Sequence, residues 1–292
     1  NIDIPNNCRI FAKLEFMNPG GSVKDRLGVS LLKDAVESGK LQPGGTIIEP
    51  TAGNTGIGVA LAAIGKGYTV KFVVPQKFSM EKQTLMRALG AEIVNTPTEL
   101  GMKGAIAKAE ELVKETPGAF SPSQFSNPAN PETYVHTLGP ELWRDLDGRI
   151  NVFVAGAGSG GTFMGTAKYL KNQNVDIKTV IVEPQGSILN GGEAGSHYTE
   201  GIGMEFLPGY MDKTYFNAIH TVTDKNAFEK MRVLAKEEGL LVGSSSGAAF
   251  YAALEEAKVA EPGSHIVTIF ADSSERYLSQ NVYELLKEDE AQ

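Results

Sequence analysis

The chain has 292 residues, 41% apolar and 21% charged, an ordinary globular composition that excludes a disordered or fibrous protein. Its 27 basic and 35 acidic residues leave a net charge of −8, which argues against a nucleic-acid surface while leaving room for a local anion pocket. The single cysteine, Cys8, excludes an intramolecular disulfide and suits a reducing compartment, so a cytoplasmic location is expected, and no apolar run is long enough to make the membrane a partner.

Strand-like apolar runs alternate with helix-period segments almost throughout, which predicts an α/β protein with a largely parallel sheet. Residues 10–16 read as a first strand, and 24–38 as a helix with Leu27, Leu31, Leu32 and Ala35 inward and Gly39 as its stop. Strands are then expected at 46–49, 69–74 and 91–94, with helices at 57–64, 80–89 and 102–113. The polar, proline-rich segment 117–131 around Gln124, Phe125 and Asn127 is read as the domain boundary, giving units 1–130 and 131–292. Strands at 150–154, 177–182 and 266–270 and helices near 162–171, 225–238 and 247–257 build the second unit. Ligands in such folds sit beyond the carboxyl ends of the strands.

Four motifs fall at such places. Asn18-Pro19-Gly20-Gly21-Ser22-Val23-Lys24 sets one lysine where a glycine-rich turn becomes a helix. A lysine kept desolvated and partly neutral there can form a Schiff base, although an ordinary solvated lysine fits the same pattern. The strand Asn151-Val152-Phe153-Val154-Ala155 runs into Gly156-Ala157-Gly158-Ser159-Gly160-Gly161-Thr162 and a helix. Successive backbone amides and the helix dipole make that turn a phosphate cup, for a nucleotide or for a monophosphate cofactor alike. Glu183, about 20 positions on, is placed as a ribose ligand if the nucleotide reading holds. Thr51-Ala52-Gly53-Asn54-Thr55 offers amides and hydroxyls to a carboxylate, and Ser244-Ser245-Ser246 offers a hydroxyl to a ring nitrogen; helix capping would explain either. His136, His197, His220 and His265 show no metal-ligand spacing, so no metal is expected; His197, with Tyr198, is the one placed near an incoming substrate.

Taken together, segments 18–26, 49–58, 124–131, 156–162, 200–203, 243–249 and 272–277 resemble the fold type II pyridoxal-phosphate enzymes, in the cysteine synthase and cystathionine β-synthase branch, over essentially the whole chain. The resemblance implies two three-layer α/β domains with the active site in the cleft between them, a pyridoxal 5′-phosphate cofactor and a homodimer. It implies that Lys24 forms the Schiff base with the cofactor, that Asn54 bonds its 3′ oxygen, and that Ser245 faces its pyridine nitrogen. Gly158, Ser159, Gly160, Gly161 and Thr162 would hold the phosphate. Thr51, Ala52, Gly53, Asn54, Thr55 and Gln124 would surround the substrate carboxylate, with Gly201 lining the cleft opposite. Position 52 departs from the pattern, being Ala where many members have Ser.

The implied reaction is β-replacement on O-acetylserine or serine through an aminoacrylate intermediate, with a thiol as the second substrate. Glu183-Pro184-Gln185-Gly186-Ser187-Ile188-Leu189 and Glu200-Gly201-Ile202-Gly203 resemble the cystathionine β-synthase side, in its bacterial O-acetylserine-using form, which points to homocysteine. The residues themselves do not separate homocysteine from sulfide, because both attack the same carbon. A nicotinamide dehydrogenase would explain the glycine loop but leaves Lys24, Asn54 and Ser245 without a shared task, and a non-catalytic binding relative leaves Lys24 unexplained.

Overall fold

The computed structural model describes residues 1–51 and 53–285. Its first strand, β1 (Arg9–Leu14), ends in a 3-10 turn at Glu15–Met17. Chain order continues with α1 (Lys24–Glu37), β2 (Thr46–Pro50), α2 (Asn54–Ala63), β3 (Thr69–Pro75), α3 (Met80–Ala88), β4 (Glu92–Thr96), α4 (Gly101–Glu115) and the short β5 (Ala119–Phe120). Then come α5 (Ala129–His136), α6 (Leu138–Asp145), β6 (Val152–Gly156), α7 (Gly161–Gln173), β7 (Lys178–Pro184) and β8 (Ala218–Val222). The last elements are α8 (Asp224–Glu238), α9 (Ser244–Val259), β9 (His265–Phe270) and a 3-10 helix at Ser274–Gln280. No helix among the described residues is long and apolar enough to cross a membrane.

These elements form two compact α/β units. Residues 18–130 form one, and residues 1–17 join those from 131 onward in the other. The expected unit 1–130 is thus corrected at its start. Strand β1 pairs in parallel with β9, Arg9 opposite His265 through Leu14 opposite Phe270, so the opening residues belong to the later sheet. Lys13 reinforces this from β1 through ion pairs to Glu141 at 3.1 Å and Asp145 at 2.9 Å on α6.

Unit 18–130 has a four-stranded sheet in the order β4-β3-β2-β5, every pairing parallel. Strand β2 is buried from Ile47 to Pro50, as a central strand covered on both faces must be. Order reverses between β2 and β5, and a crevice opens beyond the carboxyl ends of strands at such a reversal. Helices α1 and α2 pack against each other, with Gly28 and Gly58 at the contact. A Cβ on Gly28 would stand 2.1 Å from the Gly58 carbonyl carbon, and one on Gly58 would stand 2.3 Å from the Lys24 carbonyl oxygen. Only glycine lets the two backbones approach this closely, and the approach ties the start of α1 to α2.

The other unit has a five-stranded sheet in the order β1-β9-β6-β7-β8, again wholly parallel, with its reversal between β6 and β9. Helix α9, rich in alanine and buried along most of its length, packs on β6, β7 and β9 and against α8. Its small side chains join Val152, Val154, Val180, Val182, Ile266 and Phe270 in one core. Helix α8 is delimited by chemistry visible in the sequence: Thr223 accepts from Asn226 N at its start, and Gly239 closes it in a left-handed conformation.

Candidate active site

In unit 18–130 the reversal between β2 and β5 brings two loops together. After β2, Thr51 is buried and its Oγ1 accepts from Gly53 N at 3.0 Å and Gly56 N at 3.2 Å, folding the turn onto the start of α2. Ala52 lies outside the described residues. Gly53 takes φ +128° and precedes α2 without any side-chain cap, so Asn54 begins the helix rather than capping it. After β5, buried Gln124 turns back to this loop: Thr55 Oγ1 donates to its Oε1 at 2.8 Å, and its Nε2 donates to Pro50 O at 3.0 Å. Thr51, Gly53, Asn54, Thr55 and Gln124 are therefore assembled at one place.

Lys24 is the first residue of α1 and half-buried. Its turn is held from within: Lys24 N donates to Ser22 Oγ at 3.2 Å, Asn18 Nδ2 donates to Ser22 O at 3.1 Å, and Gly20 N donates to the Asp25 carboxylate.

In the other unit the reversal lies beside β6, whose end runs into Ala157, Gly158, Ser159 and Gly160 before α7 begins at Gly161. Gly160 adopts the left-handed conformation, φ +85°. Tyr210 Oη donates to Ser159 O at 2.8 Å, fixing the loop from outside. Thr162 lies in the first turn of α7, and its buried Oγ1 has no hydrogen-bond partner among the described residues. A Cβ on Gly158 would stand 2.4 Å from Gly201 O, so the loop containing Gly201 lies directly against the glycine turn. Gly201 in turn faces Ser245, whose Oγ would stand 3.6 Å from a Cβ built there.

Ser244, Ser245 and Ser246 open α9, and capping does not account for Ser245. Gly243 occupies the cap position without a side-chain bond; Ser244 Oγ accepts from Glu200 N at 3.2 Å and Ser246 Oγ from Ala271 N at 3.1 Å. Ser245 Oγ is buried and has no partner among the described residues. A buried hydroxyl left in this way costs free energy unless a ligand completes it.

Several residues given no role by the sequence hold these loops. Asp224 accepts from Tyr198 N at 2.8 Å, Thr199 N at 2.9 Å and Thr199 Oγ1 at 2.6 Å, while Gln280 Nε2 donates to Glu200 Oε1 at 2.6 Å. Tyr277 is buried with its hydroxyl donating to Asp272 at 2.5 Å, and burial together with the neighbouring carboxylates pushes that phenol well above its ordinary range. Glu49, at the penultimate position of β2, is wholly buried. Desolvation raises its carboxyl to about 7, against the opposing effect of hydrogen bonds from Gln124 N, Ser123 N and Ser121 Oγ. A charged residue inside an apolar strand was the one available signal for it.

The histidines and the ribose candidate have partners within the fold. His197 Nδ1 lies 2.7 Å from Thr199 O, His220 Nε2 2.8 Å from Glu256, and His265 Nδ1 2.9 Å from Arg149 O; His136 pairs with Glu132 on the surface. Glu183 ends β7 fully buried, accepting from Leu189 N at 2.8 Å, Asn190 N at 3.1 Å and Thr221 Oγ1 at 2.9 Å. Its carboxylate is occupied inside the protein, which removes the ribose ligand that a dinucleotide would want.

The family described as "Pyridoxal-phosphate dependent enzyme" matches residues 2–272. The O-acetylserine dependent cystathionine beta-synthase of Bacillus subtilis (strain 168) is 61% identical over 284 residues, 97% of this chain and 92% of the relative. A cysteine synthase of Helicobacter pylori (strain ATCC 700392 / 26695) is 54% identical over 280 residues, 96% of this chain and 92% of the relative. Among solved structures, an O-acetylserine dependent cystathionine beta-synthase from Helicobacter pylori superposes with a TM-score of 0.94 at 54% identity, covering 96% of this chain and 92% of that one. The chain belongs to the pyridoxal-phosphate dependent enzyme family and has that family's α/β fold type II architecture. Within the family it is a β-replacement enzyme of the group that holds cystathionine β-synthases and cysteine synthases.

The residues present fit the cofactor that the family implies. A pyridoxal 5′-phosphate needs amides and a hydroxyl around its phosphate, and the cup from Gly158 to Thr162 supplies both, including the partnerless hydroxyl of Thr162. It needs a group at its ring nitrogen, and the partnerless Ser245 hydroxyl is of that kind. When bound, the cofactor supplies the electron-withdrawing ring that lets an amino acid lose its β-substituent.

Proposed function

We propose that the protein catalyses β-replacement on O-acetylserine, or on free serine, with homocysteine as the incoming thiol and cystathionine as product. The observation that carries the choice of thiol is the 61% identity, over 97% of the chain, to the Bacillus subtilis O-acetylserine dependent cystathionine beta-synthase. Sulfide in place of homocysteine, giving cysteine, is the second reading, favoured by the 54% identity to the Helicobacter pylori cysteine synthase. In the preferred reaction the Cβ–O bond of O-acetylserine breaks and acetate leaves with the electron pair. A Cβ–S bond to homocysteine forms, and the thiol gives up its proton.

The chain's own residues divide the work. Lys24 holds the cofactor, and its Nζ takes the Cα proton and later returns it. Thr51, Ala52, Gly53, Asn54, Thr55 and Gln124 bind the substrate carboxylate through backbone amides, hydroxyls and the Gln124 amide, with Asn54 also donating to the cofactor's 3′ oxygen. Gly158, Ser159, Gly160, Gly161 and Thr162 hold the phosphate, Ser245 the ring nitrogen, and Gly201 lines the substrate. A neutral serine at that nitrogen holds a proton less well than a carboxylate would, which favours loss of the β-substituent over racemisation. We assign the protein to the cytoplasm as a homodimer, in keeping with its lone cysteine and its resemblance to this family.

Two measurements test this reading. Borohydride reduction of the cofactor-loaded protein followed by peptide mapping is expected to leave the covalent label on Lys24. Incubation with O-acetylserine and homocysteine is expected to yield cystathionine and acetate in equal amounts. A label on another lysine overturns the residue assignment, and the absence of cystathionine overturns the reaction.

A further inference from the structure

We propose that Glu49 is a positioning residue for substrate recognition, its buried carboxylate fixing the turn that presents Gln124 to the substrate's carboxylate. The proposal rests on the role given to Gln124 above and deepens it. Every hydrogen bond of the Glu49 carboxylate among the described residues goes to that turn. Gln124 N reaches Oε1 at 2.8 Å, while Ser123 N at 2.8 Å and Ser121 Oγ at 3.1 Å reach Oε2.

A carboxyl group wholly buried with no cation paired to it among the described residues is costly to ionise, and an apolar side chain would serve a central strand better if packing were its only purpose. Two adjacent backbone N–H groups pointing at one side chain need an acceptor oxygen for each, and the two oxygens of a carboxyl group supply them where an amide has only one. The turn is also not one the chain takes up unaided. Ser123 has φ +55°, a conformation that side chains other than glycine rarely adopt, so it must be held from outside.

What the turn delivers is the orientation of one amide. Gln124 receives Thr55 Oγ1 on its Oε1, donates from Nε2 to Pro50 O, and accepts Asn130 Nδ2 on its main-chain oxygen at 2.8 Å. The side-chain bonds run to the loop at 50–55, the main-chain N–H to Glu49 and the main-chain oxygen to Asn130, so the residue is fixed at both ends. Releasing the Glu49 end lets the backbone at 123–124 relax and the amide turn away. Glu49 touches no reacting atom and exerts its effect wholly through Gln124.

The test is steady-state kinetics on cofactor-loaded protein with O-acetylserine varied at saturating thiol. Glu49→Gln keeps the size but replaces one of the two acceptor oxygens by an NH2 group, which sets a donor against one of the two N–H groups. The KM for O-acetylserine should rise about tenfold, with kcat and the KM for the thiol changed less than about threefold and the absorbance of the bound cofactor unaltered. Gln124→Ala should give a similar rise, and the double variant should exceed either by no more than about twofold. Ser121→Ala, which removes one bond and leaves the carboxylate buried, should raise KM about two- to threefold, and it carries the test if Glu49→Gln does not fold.

A purely structural Glu49 would instead lower kcat and cofactor content together with KM unchanged, and that result overturns the proposal. So does an unchanged KM in Glu49→Gln, or in Ser121→Ala where that variant carries the test, beside a raised one in Gln124→Ala, which leaves the reading of Gln124 intact. An unchanged KM in Gln124→Ala removes Gln124 from the substrate site and takes the proposal with it.

Discussion

The hydroxyls of Ser245 and Thr162 are buried without partners among the described residues, and that has a measurable consequence. A buried polar group left incomplete costs about 1–3 kcal/mol, so deleting it from the cofactor-free protein removes a penalty. Ser245→Ala should leave the apoprotein's unfolding free energy unchanged or raise it by up to about 1 kcal/mol, while cofactor affinity or turnover falls about tenfold or more. Denaturant titration with and without cofactor checks the pair of effects; a variant less stable without cofactor would mean that the hydroxyl has a partner within the fold. Glu49 gives a second residue-scale prediction through its linkage to pH. Burial lifts its folded-state carboxyl from 4.5 to about 7, so its stabilising contribution is full below the unfolded value and is lost as pH rises through about 7. Between about pH 5 and 8 the wild type should lose about 3 kcal/mol relative to Glu49→Gln, read as the difference between their two stability profiles. Parallel profiles would contradict the assignment.

Among elements, the contact of α1 with α2 governs where Lys24 stands. Gly58 meets the Lys24 carbonyl oxygen and Gly28 meets the Gly58 backbone, so neither can gain a methyl group without moving a helix. Gly58→Ala should cost about 2–3 kcal/mol in urea unfolding and lower turnover even at saturating cofactor, because the shift is transmitted to Lys24. A fully stable and active Gly58→Ala variant would remove this contact from the account. Most of the helices are legible from their sequence, with Thr223 and Gly239 delimiting α8 as chemistry requires. Where the reading slips, the cause is local. Helices α2 and α9 begin at Asn54 and Ser244, three residues earlier than the apolar periodicity suggests, because first turns made of Asn, Thr, Ser and Gly read as loop.

At the scale of the whole molecule, the alternation of strand and helix reveals the α/β class, since a parallel strand buried on both faces must be apolar throughout. It does not reveal partnership. Strand β1 pairs with β9, which lies at the far end of the sequence, and nothing in residues 9–14 identifies that partner. Edge strand β8 is half-buried with His220 and Thr221 among its five residues, and β5 has two residues, so both lack the apolar run that marks a strand. The loops that carry the candidate site residues are easier to see in the sequence than the groups that hold them, because glycine loops and serine turns are local patterns. Asp224, Tyr210 and Glu49 act on loops distant in sequence and leave at most a lone charge as their trace. The pairing of β1 predicts that deleting residues 1–14 strips the edge from β9 and exposes its buried Val267 and Ile269. Light scattering should then report aggregation, whereas a soluble, cooperatively folding variant would show that β1 is dispensable to its sheet.

The account centres on β-replacement with homocysteine as the thiol. The most direct test supplies cofactor-loaded protein with O-acetylserine and with homocysteine and sulfide in competition, and measures cystathionine against cysteine to obtain the ratio of kcat/KM for the two thiols. The account predicts a ratio favouring homocysteine, with Lys24→Ala forming neither product. Preference for sulfide would contradict it and make the protein a cysteine synthase.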